Sequence, residues 1–581
     1  MDGKRLGTFV AALAMVTVAA CGSSAKQSPD ASPGVDGNQD RGGFDGIAPT
    51  DGPLPTVDVP PRPEPQMGAG SRLLVKEPDA ILVGNGQNSC TNQVPASGDR
   101  WCAFTKPSSF LGLDDLWVIN VSKAAEGKTI SCTGSDVNCL RLTSALFTGD
   151  ITLHGFDGDS LIYYAENTGG MTFLGTVYAW RPGWTQPRKI TNGTGVICGG
   201  HPTSDSAYCF GNRDDKVADQ VSYDLNAGQL KDADVSILPK VESLLFAHKD
   251  DVMGVRKFQA SLSPAGDYIA WSARLTPTGV ETLKVQKVGD DSTRKIVATD
   301  VSRWAISPDQ QKWYWLKAFN YDTKGNTAGT LEMAAFPDGA GPATLVADVG
   351  DFDSAGPKGI MYRSGFAVGK ADLKLLGDRD DVAGSTKALD SGVIAVWGRT
   401  KDGQSALYSK QISGVLDQLF DMYISTPAAA APCLLTGSTL APPVGTFSEM
   451  GQTAVWAKYD EIADTFHGYY TNVSSCASGK FATNILSWAS VADEGYIYLD
   501  DSTDGVEATI RFNQVTNGMF PARGTVVQTR ASTVFGPLLP ALPAVIYTVT
   551  LPDDKAKNGI YINTSLPFTS LVPAPDGGTG G

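Results

Sequence analysis

Leu262-Ser263-Pro264-Ala265-Gly266-Asp267 runs directly into Tyr268-Ile269-Ala270-Trp271-Ser272-Ala273. Within this stretch one extended segment ends, the chain turns tightly, and a second begins. Proline presets the φ of a turn position, glycine accepts a positive φ, and the aspartate side chain can bond nearby backbone amides. The run that follows is rich in branched and aromatic side chains, which pack well on a pleated surface.

The same arrangement returns further on, where Ile306-Ser307-Pro308-Asp309-Gln310-Gln311-Lys312 leads into Trp313-Tyr314-Trp315-Leu316. Shorter copies keep only the turn and the strand. Asp157-Gly158-Asp159-Ser160 precedes Leu161-Ile162-Tyr163-Tyr164, and Asp390-Ser391-Gly392 precedes Val393-Ile394-Ala395-Val396-Trp397. Ser448-Glu449-Met450-Gly451-Gln452 precedes Thr453-Ala454-Val455-Trp456, and Asp493-Glu494-Gly495 precedes Tyr496-Ile497-Tyr498. Successive turns stand on the order of 33–60 residues apart, the spacing of repeat architectures. No long amphipathic helical pattern interrupts the series, so an all-β body is expected.

The Ser-Pro-x-Gly-x-x-Ile-Ala-Trp pattern at 263–271 resembles the repeat of TolB-type β-propellers, relatives of the WD-repeat propellers. The copy at 307–315 matches less fully. The resemblance implies four-stranded antiparallel blades, with the signature turn joining the first two strands of each. Blades stacked face to face bury their inner strands on both sides, which agrees with runs that are apolar throughout rather than alternating. Up to about ten turn–strand units can be counted over 72–572; with some of them taken as insertions, one ring of seven or eight blades with long loops is expected, the alternatives being a larger ring or two partial domains.

The N-terminus carries an export signal. Lys4 and Arg5 precede an apolar run from Leu6 to Ala20, shorter than the roughly 20 residues that span a bilayer. Val18-Ala19-Ala20-Cys21 resembles the lipobox of bacterial lipoproteins. The resemblance implies cleavage after residue 20, a lipid on the thiol of Cys21 and acylation of the new amino terminus. Several acyl chains, at about 0.8 kcal/mol per buried CH₂, make a lasting anchor. Gly22 stands where an aspartate is associated with inner-membrane retention, so the outer membrane is the expected address. The apolar stretch Phe535–Leu551 contains Pro537, Pro540 and Pro543 and is not expected to span a membrane as a helix.

From Cys21 to Ser71 the composition turns to Pro, Gly, Asp and Ser, including Pro60-Pro61-Arg62-Pro63-Glu64-Pro65. Such a segment buries too little apolar surface to offset its ordering entropy, and a flexible tether with a mean reach of about 40 Å is expected. The stretch 573–581 reads as a flexible tail.

Nine cysteines less Cys21 leave eight in an oxidising compartment. They fall into neighbouring couples: Cys90 with Cys102, Cys132 with Cys139, Cys198 with Cys209, and Cys433 with Cys476. Eight cysteines permit 105 pairings, and nearest-neighbour bonding is the expectation carried forward. Metal-ligand spacing is not met, and no metal or other cofactor is expected.

The 581 residues carry a formal net charge of −15, which disfavours nucleic acid as a partner because counterion release requires a basic face. Four histidines, His154, His201, His248 and His467, form no His-Glu-x-x-His pair. A Gly-x-Ser-x-Gly elbow and a phosphate-binding glycine loop are both missing from the sequence. Asp157-Gly158-Asp159 and Asp378 through Asp381 do not complete a calcium loop. Among 62 acidic residues no glycosidase-type pair can be singled out.

The expected function is a monomeric, non-catalytic scaffold, held to the membrane by its lipid and binding an envelope protein or polysaccharide. The alternatives are a carbohydrate-active enzyme and a carbohydrate-binding propeller. Trp and Tyr residues on the strands are expected to be core rather than ligand platforms.

Overall fold

In the computed structural model the described residues run from Met67 to Leu566 with internal gaps. The export signal with Cys21, the tether up to residue 66 and the tail from 573 lie outside them. Among the described residues the chain is almost entirely antiparallel strand, with one five-residue helix, Val121–Ala125, and one short 3₁₀ turn, Lys555–Lys557. No helix there is long and apolar enough to cross a membrane. The stretch at 535–551 supplies two strands, Thr533–Pro537 and Val545–Val549.

The strands form seven four-stranded sheets and one ten-stranded sheet. Six of the four-stranded sheets are simple meanders of consecutive strands, covering 81–147, 153–189, 197–247, 259–299, 444–482 and 487–531. The seventh joins both ends of the body. Its strands Thr533–Pro537, Val545–Val549 and Gly559–Asn563 are completed by Ser71–Val75, with Ser71 opposite Asn563.

The ten-stranded sheet, 301–439, is continuous because two of its strands each pair in two places. Ala343–Asp353 pairs through residues 343–349 with the preceding strand and through 349–353 with the following one. Thr386–Arg399 does the same on either side of residues 390–393. Each strand bends at a residue of positive φ, Asp348 at 58° and Gly392 at 69°. A residue of the same kind, Asp300 at 61°, forms the whole connection between sheet 259–299 and the next. Aspartate and glycine suit these corners because they enter the left-handed region at least cost.

This corrects one reading of the sequence. Asp390-Ser391-Gly392 is not a turn between the first two strands of a repeat but the bend inside Thr386–Arg399. The true turn follows at Thr400–Ser405, ahead of strand Ala406–Gln411. Both segments pair glycine with an acidic neighbour, so composition alone does not separate them.

The core divides into ten clusters among the described residues, and nine of them join strands from two groups neighbouring in sequence. The period-2 alternation of a strand explains this arrangement. In Thr453–Asp460, Val455 and Ala457 pack forward while Ala454 and Trp456 pack backward. In Lys312–Tyr321, Tyr314 and Leu316 face one way and Trp313 and Trp315 the other. One cluster joins the two ends of the series: Phe104, Trp117 and Ile119 of sheet 81–147 pack on Ile546, Ile560 and Ile562 of the last sheet. The expected core role of the aromatics is seen in Trp180, Trp271, Trp313, Trp315, Trp456, Tyr408 and Tyr498, all fully buried.

Candidate functional site

The turns that carry the repeat motif each join the first and second strands of a group of four and share a single geometry. Ser263 is fully buried, donates its hydroxyl to Asp267 at 2.8 Å and receives the Tyr268 amide at 3.1 Å. Ser307 does the same with Asp309 at 2.6 Å and the Lys312 amide at 2.9 Å. Thr400 takes this position with Asp402, and Ser448 receives the Thr453 amide. In each turn the backbone also closes across the same five-residue span, as in Ser263 N–H to Tyr268 O at 2.9 Å. A hydroxyl at this position satisfies two partners at once, which explains the preference for Ser or Thr.

His201 is the fifth member. Its backbone closes on Ser206 across the same span, but its ring replaces the hydroxyl. Ser204 N–H donates to Nδ1 at 2.9 Å, so Nε2 carries the proton and donates to Pro264 O at 2.8 Å in the next turn. Ser206 donates to Gly266 O at 2.5 Å. That turn is bound in its own turn to the following one. The Ala265 amide donates to Gln310 Oε1 at 2.8 Å, and Gln310 Nε2 donates to Asp267 at 2.7 Å. Gly266, at φ 72°, has no room for a side chain because the Ser204 and His201 side chains fill the space. The turns at 201–206, 263–267 and 307–311 are therefore interlocked in series.

Several ionisable groups inside the sheets are paired with one another, whereas the buried Arg100 gives Nη1 to the Thr91 carbonyl at 2.8 Å and has no partner for Nε or Nη2 among the described residues. Asp500, with a fully buried side chain, accepts from Arg511 at 2.9 Å and from Arg523 at 3.1 Å, and both arginines also reach Asp501. Burial pushes the Asp500 carboxyl above its ordinary range, against the pull of both guanidinium groups. Arg530 joins Glu507 at 2.7 Å to Asp553 at 2.5 Å and so links the last two sheets. Glu242 takes Lys284 at 2.5 Å and the Trp271 indole at 2.7 Å. Asp351 pairs with Arg363, and Asp353 with Arg399. Tyr408 donates to Asp390 at 2.5 Å, and burial raises its hydroxyl far above the normal phenol range.

His467 lies 3.3 Å from Asp460, while its Nδ1 faces the Asn484 amide. Burial and the nearby Lys480 lower its pKa, against the opposing pull of Asp460. Sequence reasoning missed both the arginine–carboxylate groups and the histidine in the turn. The partners of the former lie across strands, and the latter replaces the residue type that marks the motif.

The four cysteine couples named from the sequence are bonded in the structure. Cys90 faces Cys102 of strand Trp101–Pro107 across an isolated bridge, and Cys198 and Cys209 face each other on paired strands. Cys132–Cys139 closes the loop after the short helix. Cys433–Cys476 differs from the rest, running from the ten-stranded sheet to the sheet that follows it. Cys21 lies outside the described residues. No group of three His, Cys, Asp or Glu with metal-ligand geometry occurs among the described residues.

Chemically, this arrangement holds groups in place. The turn hydroxyls of Ser263, Ser307 and Thr400 donate to aspartates, and both ring nitrogens of His201 are engaged by backbone groups.

No known protein family matches the chain, and no curated protein is similar to it. Several solved structures are. A eukaryotic initiation factor is 11% identical with a TM-score of 0.43, the match covering 75% of this chain and 99% of that one. Dipeptidyl peptidase 4 from Porphyromonas gingivalis is 10% identical with a TM-score of 0.41, over 70% of this chain and 65% of that one. TolB from Acinetobacter baumannii is 14% identical with a TM-score of 0.24, over 55% of this chain and 82% of that one. At these values the likenesses carry no statement about chemistry.

Proposed function

We propose that this chain is a lipid-anchored envelope scaffold whose body is a ring of ten four-stranded blades and whose rims hold a macromolecular partner without transforming it. The ten-stranded sheet contributes three of the blades, two of its strands each serving as the last of one and the first of the next. The count of ten is the larger-ring alternative rather than the seven or eight blades first expected. The reading of a ring is supported by the core clusters, which pass from each group of strands to its neighbour and from the last to the first.

The observation that carries the non-catalytic reading is that the buried carboxylates Asp500 and Glu507 are held by arginines. A hydrolytic pair of carboxylates needs one free to take up a proton and another free to attack or to activate water. Asp500 and Asp501 are adjacent but share the same two arginines. The lipid anchor is supported by the lipobox-like Val18-Ala19-Ala20-Cys21, and the outer-membrane address by Gly22.

The test is affinity capture from envelope extract with the full mature chain, joined to an assay for reducing ends released from envelope polysaccharide. A discrete macromolecule that survives washing, with no release, is expected. Release of sugar ends, or recovery of small sugars alone, would overturn the scaffold in favour of a carbohydrate-active or carbohydrate-binding protein. Mass analysis of the N-terminal peptide, intact and in Cys21→Ala, tests the anchor separately.

A further inference from the structure

Sheet 81–147 carries a sixth copy of the motif turn, and one side chain sets it apart from the others. The Thr91 hydroxyl receives the Trp101 amide at 3.2 Å, and the Thr91 amide donates to Trp101 O at 2.9 Å. These are the two bonds that Ser263 makes with Tyr268. Thr91 and Trp101 stand 10 residues apart where Ser263 and Tyr268 stand 5 apart, so the copy does not show in the sequence pattern. In the shorter turns the residue just before the closing one is an acid or an amide: Asp205, Asp267, Gln311, Gln404 and Gln452. In the long turn it is Arg100.

Arg100 is 1% exposed and its backbone is fixed on both sides. Its amide donates to Ser122 Oγ at 2.9 Å, and its carbonyl accepts from the Val121 amide at 2.8 Å. The Cys90–Cys102 disulfide joins the residues next to Thr91 and Trp101. Nη1 of the guanidinium is spent on Thr91 O, which leaves Nε and Nη2 without a partner among the described residues. These two groups form one edge of the guanidinium plane, where parallel N–H bonds match the two oxygens of a carboxylate. The chain uses that edge in this way elsewhere. Arg530 places Nε on Glu507 Oε2 at 2.7 Å and Nη2 on Oε1 at 3.2 Å. Arg363 sets the same two groups against Asp351. Arg100 has no such carboxylate. Asp99, next in the chain, is taken up by Asn120 Nδ2 at 3.0 Å and by Lys123 at 3.4 Å. Residues 92–98 read Asn-Gln-Val-Pro-Ala-Ser-Gly and contain no acid, so the turn brings no counter-charge of its own. A guanidinium stays charged in proteins, and enclosing it without an anion is costly. Burial accordingly pulls the Arg100 pKa down.

We propose that the Nε–Nη2 edge of Arg100 is a binding site for the carboxylate of a small ligand. The site does not rest on the scaffold reading above and stands or falls without it. One guanidinium balances one negative charge, and the neighbouring Asp99 works against a dianion such as sulfate or phosphate. The planar carboxylate fits the fork, whereas a spherical halide meets it at a single point. Because Arg100 is enclosed, compact acids such as formate and acetate are the favoured size.

The experiment follows the thermal transition of the full mature chain in formate, acetate, chloride, sulfate or acetamide, with ionic strength held constant. Line broadening of ¹³C-labelled acetate reads binding independently of the melt. The midpoint is expected to rise with the logarithm of formate or acetate concentration, as for a ligand that binds only the folded state, and not with the other three. Arg100→Lys keeps a charge but lacks the fork, and should lose both the rise and the broadening. Arg100→Met removes the charge. Without carboxylate it should melt no lower than the parent chain, and in excess acetate it should melt below it. An equal rise with chloride or sulfate, or no response to any carboxylate, would overturn the proposal. So would broadening that survives Arg100→Lys, or a loss in Arg100→Met that is the same with and without acetate, which would mark Arg100 as a structural cap on Thr91 O.

Discussion

Two seams between neighbouring groups of strands bury comparable apolar clusters but are assembled from very different parts of the chain. Between sheet 259–299 and the strands that follow, the chain passes through the single residue Asp300. The seam is filled by Trp304, Trp313 and Trp315 against Leu283 and Val285, with Trp304 and Trp313 edge to face at 5.8 Å. Each indole of the Trp313–Trp315 pair has an acceptor, Pro337 O at 3.1 Å and Glu332 at 2.9 Å. Between the last sheet and sheet 81–147 the cluster is largely aliphatic, and the last sheet is incomplete until Ser71–Val75 is laid against Gly559–Asn563. The first seam can form from residues near in sequence. The second waits for the two ends of the body to meet, and loop-closure entropy makes such contacts slow to form.

The largest effect is expected from removing the closing strand. A chain that begins after residue 76 leaves the edge of Gly559–Asn563 unpaired and uncovers Val75's place in the cluster. We expect loss of the cooperative thermal transition and association through the open edge, read by calorimetry and size-exclusion chromatography. A single sharp transition close to that of the full body would show that the seam does not depend on the strand.

Next comes Trp313→Ala in the local seam, with an expected loss of about 3–5 kcal/mol. Chemical denaturation should give a lower midpoint with an unchanged slope, because the seam remains covalently continuous. A changed slope would mean that the two sides of the seam unfold separately.

The smallest effect is expected from Gln310→Ala at the turns beside the same seam. It removes one bond to the Ala265 amide and one to Asp267, both beside solvent, for about 0.5–1.5 kcal/mol. A loss as large as that of Trp313→Ala would make the interlocked turns, rather than the indoles, the principal fastening.

The difference between the seams also explains what was legible in the sequence. The turns at 263 and 307 are local devices: a hydroxyl, a proline and an aspartate within five residues write the geometry, and the aromatic run after them writes the buried strand. Asp390-Ser391-Gly392 shows the limit of such signals, because a bend within a strand and a turn between strands use the same residues. His201 occupies a motif position with a side chain that the motif does not contain, so only its distance from the next strand could have marked it. The pairing of Ser71 with Asn563 and of Asp500 with Arg511 and Arg523 leaves no local pattern, since the partners meet only after the sheets have formed. The five-residue strand Ser71–Val75 carries no turn motif of its own. The cysteine couples were readable because three of the four bonds close short loops.

The fourth bond has a different consequence. Cys433 and Cys476 straddle the connection at 440–443, so a protease that cuts there separates no fragments until the disulfide is reduced. Leu407, Phe447 and Trp456 would still pack across the nick, and the two pieces would go on behaving as a single body. A severed backbone at that point would then not amount to a lost molecule.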